Sequence, residues 1–275
     1  YDTPPIDLGG SRDYDISPDG KELVFTRNTD PLIAVSTNND LFVVPLTGGE
    51  PRRITDNPAN DSQPIYSPDG RYIAYRKMDR PGFEADRRQL VLFERATGRH
   101  LNLTPGFDSS VGEVVWSPDS KTLYFTADDR GNVSIFRVPV SGGTPVPILT
   151  TGYNTDLRVT PDGKKLVFLR ERINFPAELF VIDVSGKNLK QLSFVNREIL
   201  ARLDMTPLEE FWFEGAGGTK VQGFLVKPPS FDPARKYPMI FLVHGGPQGQ
   251  WGDDFHYRWN AQMFASRGYV VVMVN

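Results

Sequence analysis

The chain has no cysteine among its 275 residues. That excludes disulfides and thiolate metal sites, but it sets no compartment, because many extracytoplasmic proteins also lack cysteine. Long apolar runs are missing too. The longest, Met239 to Val243 and Tyr269 to Val274, fall far short of the roughly 20 residues needed to span a bilayer, so no membrane span is expected. No signal peptide is visible at the start, which is Tyr1 rather than Met. Neither charge sign dominates: 31 Lys and Arg face 34 Asp and Glu, for a net charge of −3. That balance leaves no footprint for nucleic acid or an anionic membrane. Histidine is scarce, at three residues, and no cofactor or metal site is expected.

Proline and glycine are plentiful, 23 and 25 residues, and punctuate a repeat. Ser17-Pro18-Asp19-Gly20 precedes Leu23-Val24-Phe25. Ser67-Pro68-Asp69-Gly70 precedes Ile73-Ala74-Tyr75. Ser117-Pro118-Asp119-Ser120 precedes Leu123-Tyr124-Phe125, and Thr160-Pro161-Asp162-Gly163 precedes Leu166-Val167-Phe168. Each tetrapeptide encodes a turn: Pro presets φ, Asp bonds nearby backbone, and Gly takes a positive φ. A strand signal lies on either side. A third follows (Asp40–Val44, Gln89–Phe93, Ser134–Val138, Glu178–Ile182), then a small turn and a fourth. The steps between copies are 50, 50 and 43 residues. Four strands in that period predict β-propeller blades, four of them, over residues 1–195. An open β-sandwich with coincidental turns is the alternative. Four blades sit at the low end of what closes, so further blades before Tyr1 are expected.

Two copies carry insertions between their second and third strands, at residues 28–39 and 78–88. Insertions at equivalent points fall on one face of a propeller. Glu84 and Asp86 in the second are candidates for binding a cationic group such as a peptide's free amine. The competing reading is a solvated loop with local Asp–Arg pairs.

The repeat fades at residues 196–210, read as a linker with a helical turn or two near Asn196–Arg202 before Pro207. Residues 211–275 carry a different pattern. Strand signals at Phe211–Phe213 and Val221–Val226 lead to Met239-Ile240-Phe241-Leu242-Val243, an unbroken apolar run that fits a strand buried on both faces. Directly after it comes His244-Gly245-Gly246-Pro247-Gln248-Gly249. The glycines let the chain turn sharply and leave backbone N–H groups open. Such donors at the tip of a parallel strand can hold a developing oxyanion. Tyr257, Asn260, Ala261 and Phe264 then recur at helical spacing up to Gly268, and Tyr269–Val274 reads as another buried strand. Strand, strand, strand, helix, strand opens an α/β-hydrolase sheet. The fold class is therefore mainly β: a partial propeller followed by the first strands and helix of an α/β-hydrolase domain.

The stretches Lys227-Pro228-Pro229, Lys236-Tyr237-Pro238, His244 to Gly249, Trp251-Gly252-Asp253, Tyr257 to Asn260 and Gly268 to Val271 resemble the prolyl oligopeptidase family of serine peptidases, in its dipeptidyl-peptidase V and acylaminoacyl-peptidase branches. The resemblance implies an exopeptidase acting on the N-termini of short peptides. It makes the Gly246 N–H an oxyanion donor within the loop of His244 and Gly245. It also implies a Ser, Asp, His triad, yet no Gly-x-Ser-x-Gly occurs in the chain. The triad is thus expected on the remainder of the peptidase domain or on a companion chain, and the isolated chain is expected to be inactive. A homodimer is allowed, and the resemblance favours a periplasmic or secreted location. The rival function is a non-catalytic propeller that binds a protein partner and keeps an inactive hydrolase remnant.

The histidines add little to the catalytic reading. His100 reads as a surface residue in a loop, and His244 as shaping its turn. His256, beside Asp253 and Asp254, reads as part of a helix start rather than a dyad or metal site. Trp251, Arg258 and Trp259 read as packing residues.

Overall fold

The computed structural model describes residues 3, 5, 10–246 and 249–275. By contact density they form two compact units. One comprises Tyr1–Ala127, Ile135–Ile148 and Val159–Lys164; the other comprises Asp128–Ser134, Leu149–Arg158 and Lys165–Asn275.

The architecture is mainly β. A first antiparallel sheet runs β1 (Tyr14–Ile16), β2 (Glu22–Asn28), β3 (Asn39–Pro45) and β4 (Arg52–Arg53) in sequence order. A second repeats that order with β5 (Asp61–Tyr66), β6 (Tyr72–Lys77), β7 (Gln89–Glu94) and β8 (Arg99–Asn102). A third contains β9 (Val111–Trp116), β10 (Thr122–Asp129), β11 (Asn132–Pro139) and β12 (Val146–Leu149). The fourth set is β13 (Tyr153–Val159), β14 (Lys165–Arg172), β15 (Phe175–Asp183) and β16 (Lys190–Gln191), with a parallel bridge from Val133 to Tyr153.

All four repeat turns close as the sequence predicts. The N–H at the fourth position donates to the carbonyl of the first, in Gly20→Ser17, Gly70→Ser67, Ser120→Ser117 and Gly163→Thr160, at 2.8–3.0 Å. Asp19, Asp69, Asp119 and Asp162 each accept from the hydroxyl two residues earlier and from the N–H two residues later. Ser120 keeps the positive φ, 59°, that glycine holds in the other copies. Its hydroxyl accepts from the Asp69 N–H at 3.0 Å, a bond glycine could not make, which offsets the strain.

Within the first unit, two apolar clusters lie between neighbouring sheets. Val24, Leu41 and Val43 meet Ile73, Tyr75 and Val91; Leu90 and Leu92 meet Leu123, Phe125 and Phe136. Backbone-to-carboxylate bonds stitch the inner strands: Gln63 N–H to Asp13 at 2.9 Å, and Tyr66 N–H to Asp15 at 2.8 Å.

One carboxylate in this layer carries a cost. Asp61 is fully buried; one oxygen accepts from Asn57 at 3.0 Å and the other has no partner. Burial, with the charge of Asp40 nearby, pushes its pKa up to about 7. The folded state therefore binds more protons than the unfolded chain between pH 3.8 and about 7, and this group's contribution to stability falls as pH rises through that window. Asp61→Asn is expected to flatten the decline, read as the difference from the parent chain in urea midpoint against pH. Parallel curves would refute it.

In the second unit, α1 (Arg197–Leu200) precedes an antiparallel pair, β17 (Glu209–Glu214) and β18 (Lys220–Val226). Then come β19 (Met239–Leu242), α2 (Ala261–Ala265) and β20 (Val270–Val274), giving the sheet order β17-β18-β20-β19. β20 runs antiparallel to β18 and parallel to β19. One face of this sheet packs Phe224, Val226, Val271 and Met273 against Ala261, Ala265 and Ile173.

Three expectations need correction here. β19 is not buried on both faces: it is an edge strand, with Met239 62% and Phe241 51% exposed. β20 lies inside the sheet and alternates, with Val271 and Met273 inward and Val270, Val272 and Val274 half-buried. An apolar run reports a strand with two apolar faces, not what covers those faces. The helix is shorter than the spacing suggests. Asn260 caps it by accepting from the Gln262 N–H at 2.8 Å, so Tyr257 lies outside and is 82% exposed. Gly268 does end it as expected, with φ of 90° and its N–H on the Ala265 carbonyl.

Candidate active site

The site is a loop that leaves the tip of β19. Gly245 and Gly246 are exposed, and among the described residues neither N–H has a hydrogen-bond acceptor. Gly246 sits at φ 130°, where a side chain would be strained. His244 Nδ1 lies 3.0 Å from the Gly245 carbonyl; a carbonyl only accepts, so Nδ1 carries the proton. The ring thus braces its own turn and has no acid–base partner among the described residues. Pro247 and Gln248 lie outside the described residues. On the far side the chain returns closely: a Cβ on Gly249 would stand 2.7 Å from the Gly245 carbonyl oxygen.

Trp251 pins that return. Its indole N–H donates to the Leu242 carbonyl at the end of β19, 3.2 Å away. Its backbone N–H donates to Asn275 Oδ1 at 2.6 Å, and Asn275 Nδ2 donates back to the Trp251 carbonyl at 3.0 Å. Asn275 in turn donates its N–H to Gln222 on β18 at 3.0 Å. The loop is thus tied at both ends to the sheet that bears it, and the open amides stand on a fixed base. The packing role read for Trp251 understates this. The Asn275 half of the clasp has no local signal, since the two residues are far apart in sequence and meet only because β20 lies beside β19.

The next two residues fix the loop from behind. The Asp253 N–H donates to the Gly131 carbonyl at 2.7 Å, between β10 and β11. The Asp253 carboxylate accepts from the Ile173 N–H at 2.9 Å and pairs with Arg172 Nε at 3.1 Å, at the turn between β14 and β15. Burial raises its pKa in spite of these partners. Asp254 is raised as well, chiefly by burial, and Glu171 is pushed up to about 7 by burial and by Asp254. His256 Nδ1 accepts from the Arg258 and Trp259 N–H groups at 3.1 and 3.0 Å. It caps a turn ahead of α2, which Asn260 starts, rather than a helix start, and it hydrogen-bonds to neither aspartate. Among the described residues no group of three or more His, Cys, Asp or Glu could hold a metal.

The insertion residues lie in the other unit. The Asp86 carboxylate accepts from the N–H groups of Asp79 and Arg80 at 2.8 Å each and faces Arg80 Nε at 3.6 Å. It organises its own loop. Glu84 is exposed in the same loop. His100 belongs to β8 rather than a loop. Its ring is 3.0 Å from the Tyr75 hydroxyl and packs on Phe93, and burial lowers its pKa.

No family model matches the chain. Curated relatives do, over its full length. It is 29% identical over 278 residues to a protein named dipeptidyl-peptidase 5 of Porphyromonas gingivalis, covering 40% of that protein. It is 33% identical over 291 residues to one of the same name from Trichophyton equinum, again covering 40%. The chain thus spans about 40% of the length of these relatives. Among solved structures, an acylaminoacyl peptidase in complex with Z-Gly-Gly-Phe-chloromethyl ketone superposes with a TM-score of 0.76 at 23% identity, over 93% of this chain and 38% of its own. The P. gingivalis dipeptidyl peptidase 4 superposes with a TM-score of 0.69 at 19% identity, over 98% and 39%. At those identities the structures speak for the fold. The names of the sequence relatives bear out the family resemblance read from the motifs.

Proposed function

We propose that the chain is the propeller-bearing portion of a serine exopeptidase of the prolyl oligopeptidase type. The whole enzyme would release dipeptides or blocked residues from the N-termini of short peptides. In this reading the four repeats are four blades over residues 1–195, residues 196–210 link them, and residues 211–275 open an α/β-hydrolase domain. The observation that carries it is the pair of unpaired amides at Gly245 and Gly246, on a loop clasped to the sheet by Trp251 and Asn275. Similarity along the whole of this chain to about 40% of proteins named dipeptidyl-peptidase 5 supports the same reading.

The chemistry follows from what such a corner can do. A serine supplied by the rest of the peptidase domain attacks the scissile carbonyl, a histidine takes its proton, and an aspartate orients that histidine. As the carbonyl oxygen becomes an oxyanion, the Gly246 N–H donates to it. The residue after the serine gives the second donor. Glu84 and Asp86 remain candidates for the substrate's free amine, with Glu84 the less encumbered of the two.

A simpler role would leave the same repeats as a binding module. A TolB structure from Agrobacterium tumefaciens superposes over 66% of the chain with a TM-score of 0.53 at 24% identity, a likeness in fold. One experiment separates the readings. The 275-residue chain alone is expected neither to hydrolyse a dipeptidyl chromogenic substrate nor to gain mass from a fluorophosphonate. The longer polypeptide is expected to do both. A longer polypeptide that stays unlabelled and inactive would leave only the binding module.

A further inference from the structure

The bonds that tie down the candidate loop close into a ring, all of it within the second unit. The ring starts at the turn between β10 and β11, which offers two successive carbonyls. The Gly131 carbonyl accepts from the Asp253 N–H at 2.7 Å, and the Arg130 carbonyl accepts from Gln222 Nε2 at 3.1 Å. From Gln222 the ring passes to the end of β20, where the Asn275 N–H donates to the Gln222 carbonyl at 3.0 Å. Asn275 then meets Trp251 with both ends of its side-chain amide, at 2.6 and 3.0 Å. The chain from Trp251 through Gly252 to Asp253 completes the circuit.

Two features mark the ring as more than packing. Arg130 holds a φ of 49°, a strained conformation for a residue with a side chain, and one that persists only where the surroundings over-determine it. Its guanidinium reaches no farther than the neighbouring Asp129, at 3.1 Å, so the part of Arg130 that serves the ring is its carbonyl. Asn275, for its part, pairs with Trp251 as one peptide group pairs with another. It accepts from the backbone N–H and donates to the backbone carbonyl. An amide does both; an aspartate of the same shape, once ionised, only accepts. Trp251 is thereby held beside Leu242, to which its indole N–H donates at 3.2 Å. Leu242 and Trp251 are the two feet of the loop that carries Gly245 and Gly246.

We propose that Asn275 is a positioning residue for the Gly246 oxyanion donor. This rests on the peptidase reading for the reacting group, whereas the ring itself does not. Asn275 acts through Trp251. It sets where one foot of the loop stands, and the glycine amides follow. The Arg130–Gly131 turn holds the same segment from its other end, through Asp253, so the foot is fixed on two sides. A donor moved out of line still lets a substrate bind, but it meets the developing oxyanion badly, and a misplacement of about 1 Å can cost roughly 10²-fold in rate. Loss of the Asn275 clasp therefore belongs in kcat rather than in KM.

Asn275→Asp tests this without changing the shape of the side chain. At about pH 7.5 the ionised carboxylate keeps the bond from the Trp251 N–H but sets a second acceptor against the Trp251 carbonyl; protonation in acid returns a donor. In the 275-residue chain labelled with ¹⁵N-tryptophan, the Trp251 indole signal is expected to be displaced in the variant at about pH 7.5. It should move back toward its parental position as pH falls toward about 5, while Trp116, in the other unit, stays fixed. In the longer polypeptide, kcat is counted per site titrated with a fluorophosphonate. The ratio of variant to parental kcat is expected to be about tenfold below one at about pH 7.5 and to climb as pH falls, with KM unchanged. Taking the ratio cancels the pH dependence of the triad itself. A Trp251 signal that does not move overturns the ring. A displaced signal with a kcat ratio of one at every pH overturns the positioning role. A lowered ratio that ignores pH overturns the two-point pairing as its cause. A longer polypeptide that takes up no fluorophosphonate removes the peptidase reading and the positioning role with it, while the ring still stands or falls on the Trp251 signal.

Discussion

Replacing Gly246 by proline, in a polypeptide that carries the nucleophile, is expected to lower kcat by roughly 10²- to 10³-fold, the loss seen when one oxyanion donor is removed from a comparable hydrolase. Proline has no N–H to give and cannot hold φ 130°, so the donor is lost and the turn is re-aimed. Gly246→Ala separates the two effects. Alanine keeps the N–H but is strained at that φ, so a smaller loss is expected. KM is expected to change far less than kcat in both, because the bond strengthens only as charge develops on the oxygen. The loop bears no core side chain, so urea midpoints should move little. Wild-type kcat in the proline variant would mean that the Gly246 amide points at no reacting carbonyl, and the proposed oxyanion role would end there.

What the sequence made legible, and what it hid, divides along a physical line. The four turns could be read because each is local: Ser, Pro, Asp and Gly act within four residues, and the structure repeats the same bonds in every copy. The third copy shows the limit. Ser120 reads as a weaker turn residue, and its purpose appears only in the bond from Asp69, 51 residues away. The Gly245–Gly246 corner was legible for the same local reason. Its support was not. Trp251, Asn275 and Gln222 become neighbours through the order β18-β20-β19, and strand order leaves no trace in residue spacing. The edge position of β19 was hidden likewise, since a run such as Met239 to Val243 looks the same at the middle of a sheet and at its margin. Asp86 shows an ambiguity of composition instead. An acidic residue in an insertion suggests a ligand, but a carboxylate that folds its own loop has the same composition.

Gly252→Ala is expected to destabilise the chain by about 1–3 kcal/mol, in the range of overpacking a filled site, and to do so without touching any proposed catalytic group. A Cβ at residue 252 would stand 2.6 Å from the Gly131 carbonyl oxygen, which is backbone and not a side chain that could swing away. Gly131 cannot retreat either. Its φ is 75°, and the Phe224 ring lies against its other side, closer than a Cβ there would tolerate. The same carbonyl accepts the Asp253 N–H at 2.7 Å, so a shift that relieves the clash lengthens that bond. It also pulls the Asp253 carboxylate from Ile173 and Arg172, leaving a buried charge with fewer partners. Gly245→Ala is the control: nothing lies within 4 Å of a Cβ there, and the expected change is within about 0.5 kcal/mol. Urea midpoints of the two variants, at an unchanged m-value, make the comparison. In the longer polypeptide Gly252→Ala should also lower kcat, because Trp251, its immediate neighbour, holds the loop that presents Gly246. Equal midpoints for the two variants would mean that the segment from Trp251 to Asp253 is not pressed against Gly131, and the loop would lose its fixed base.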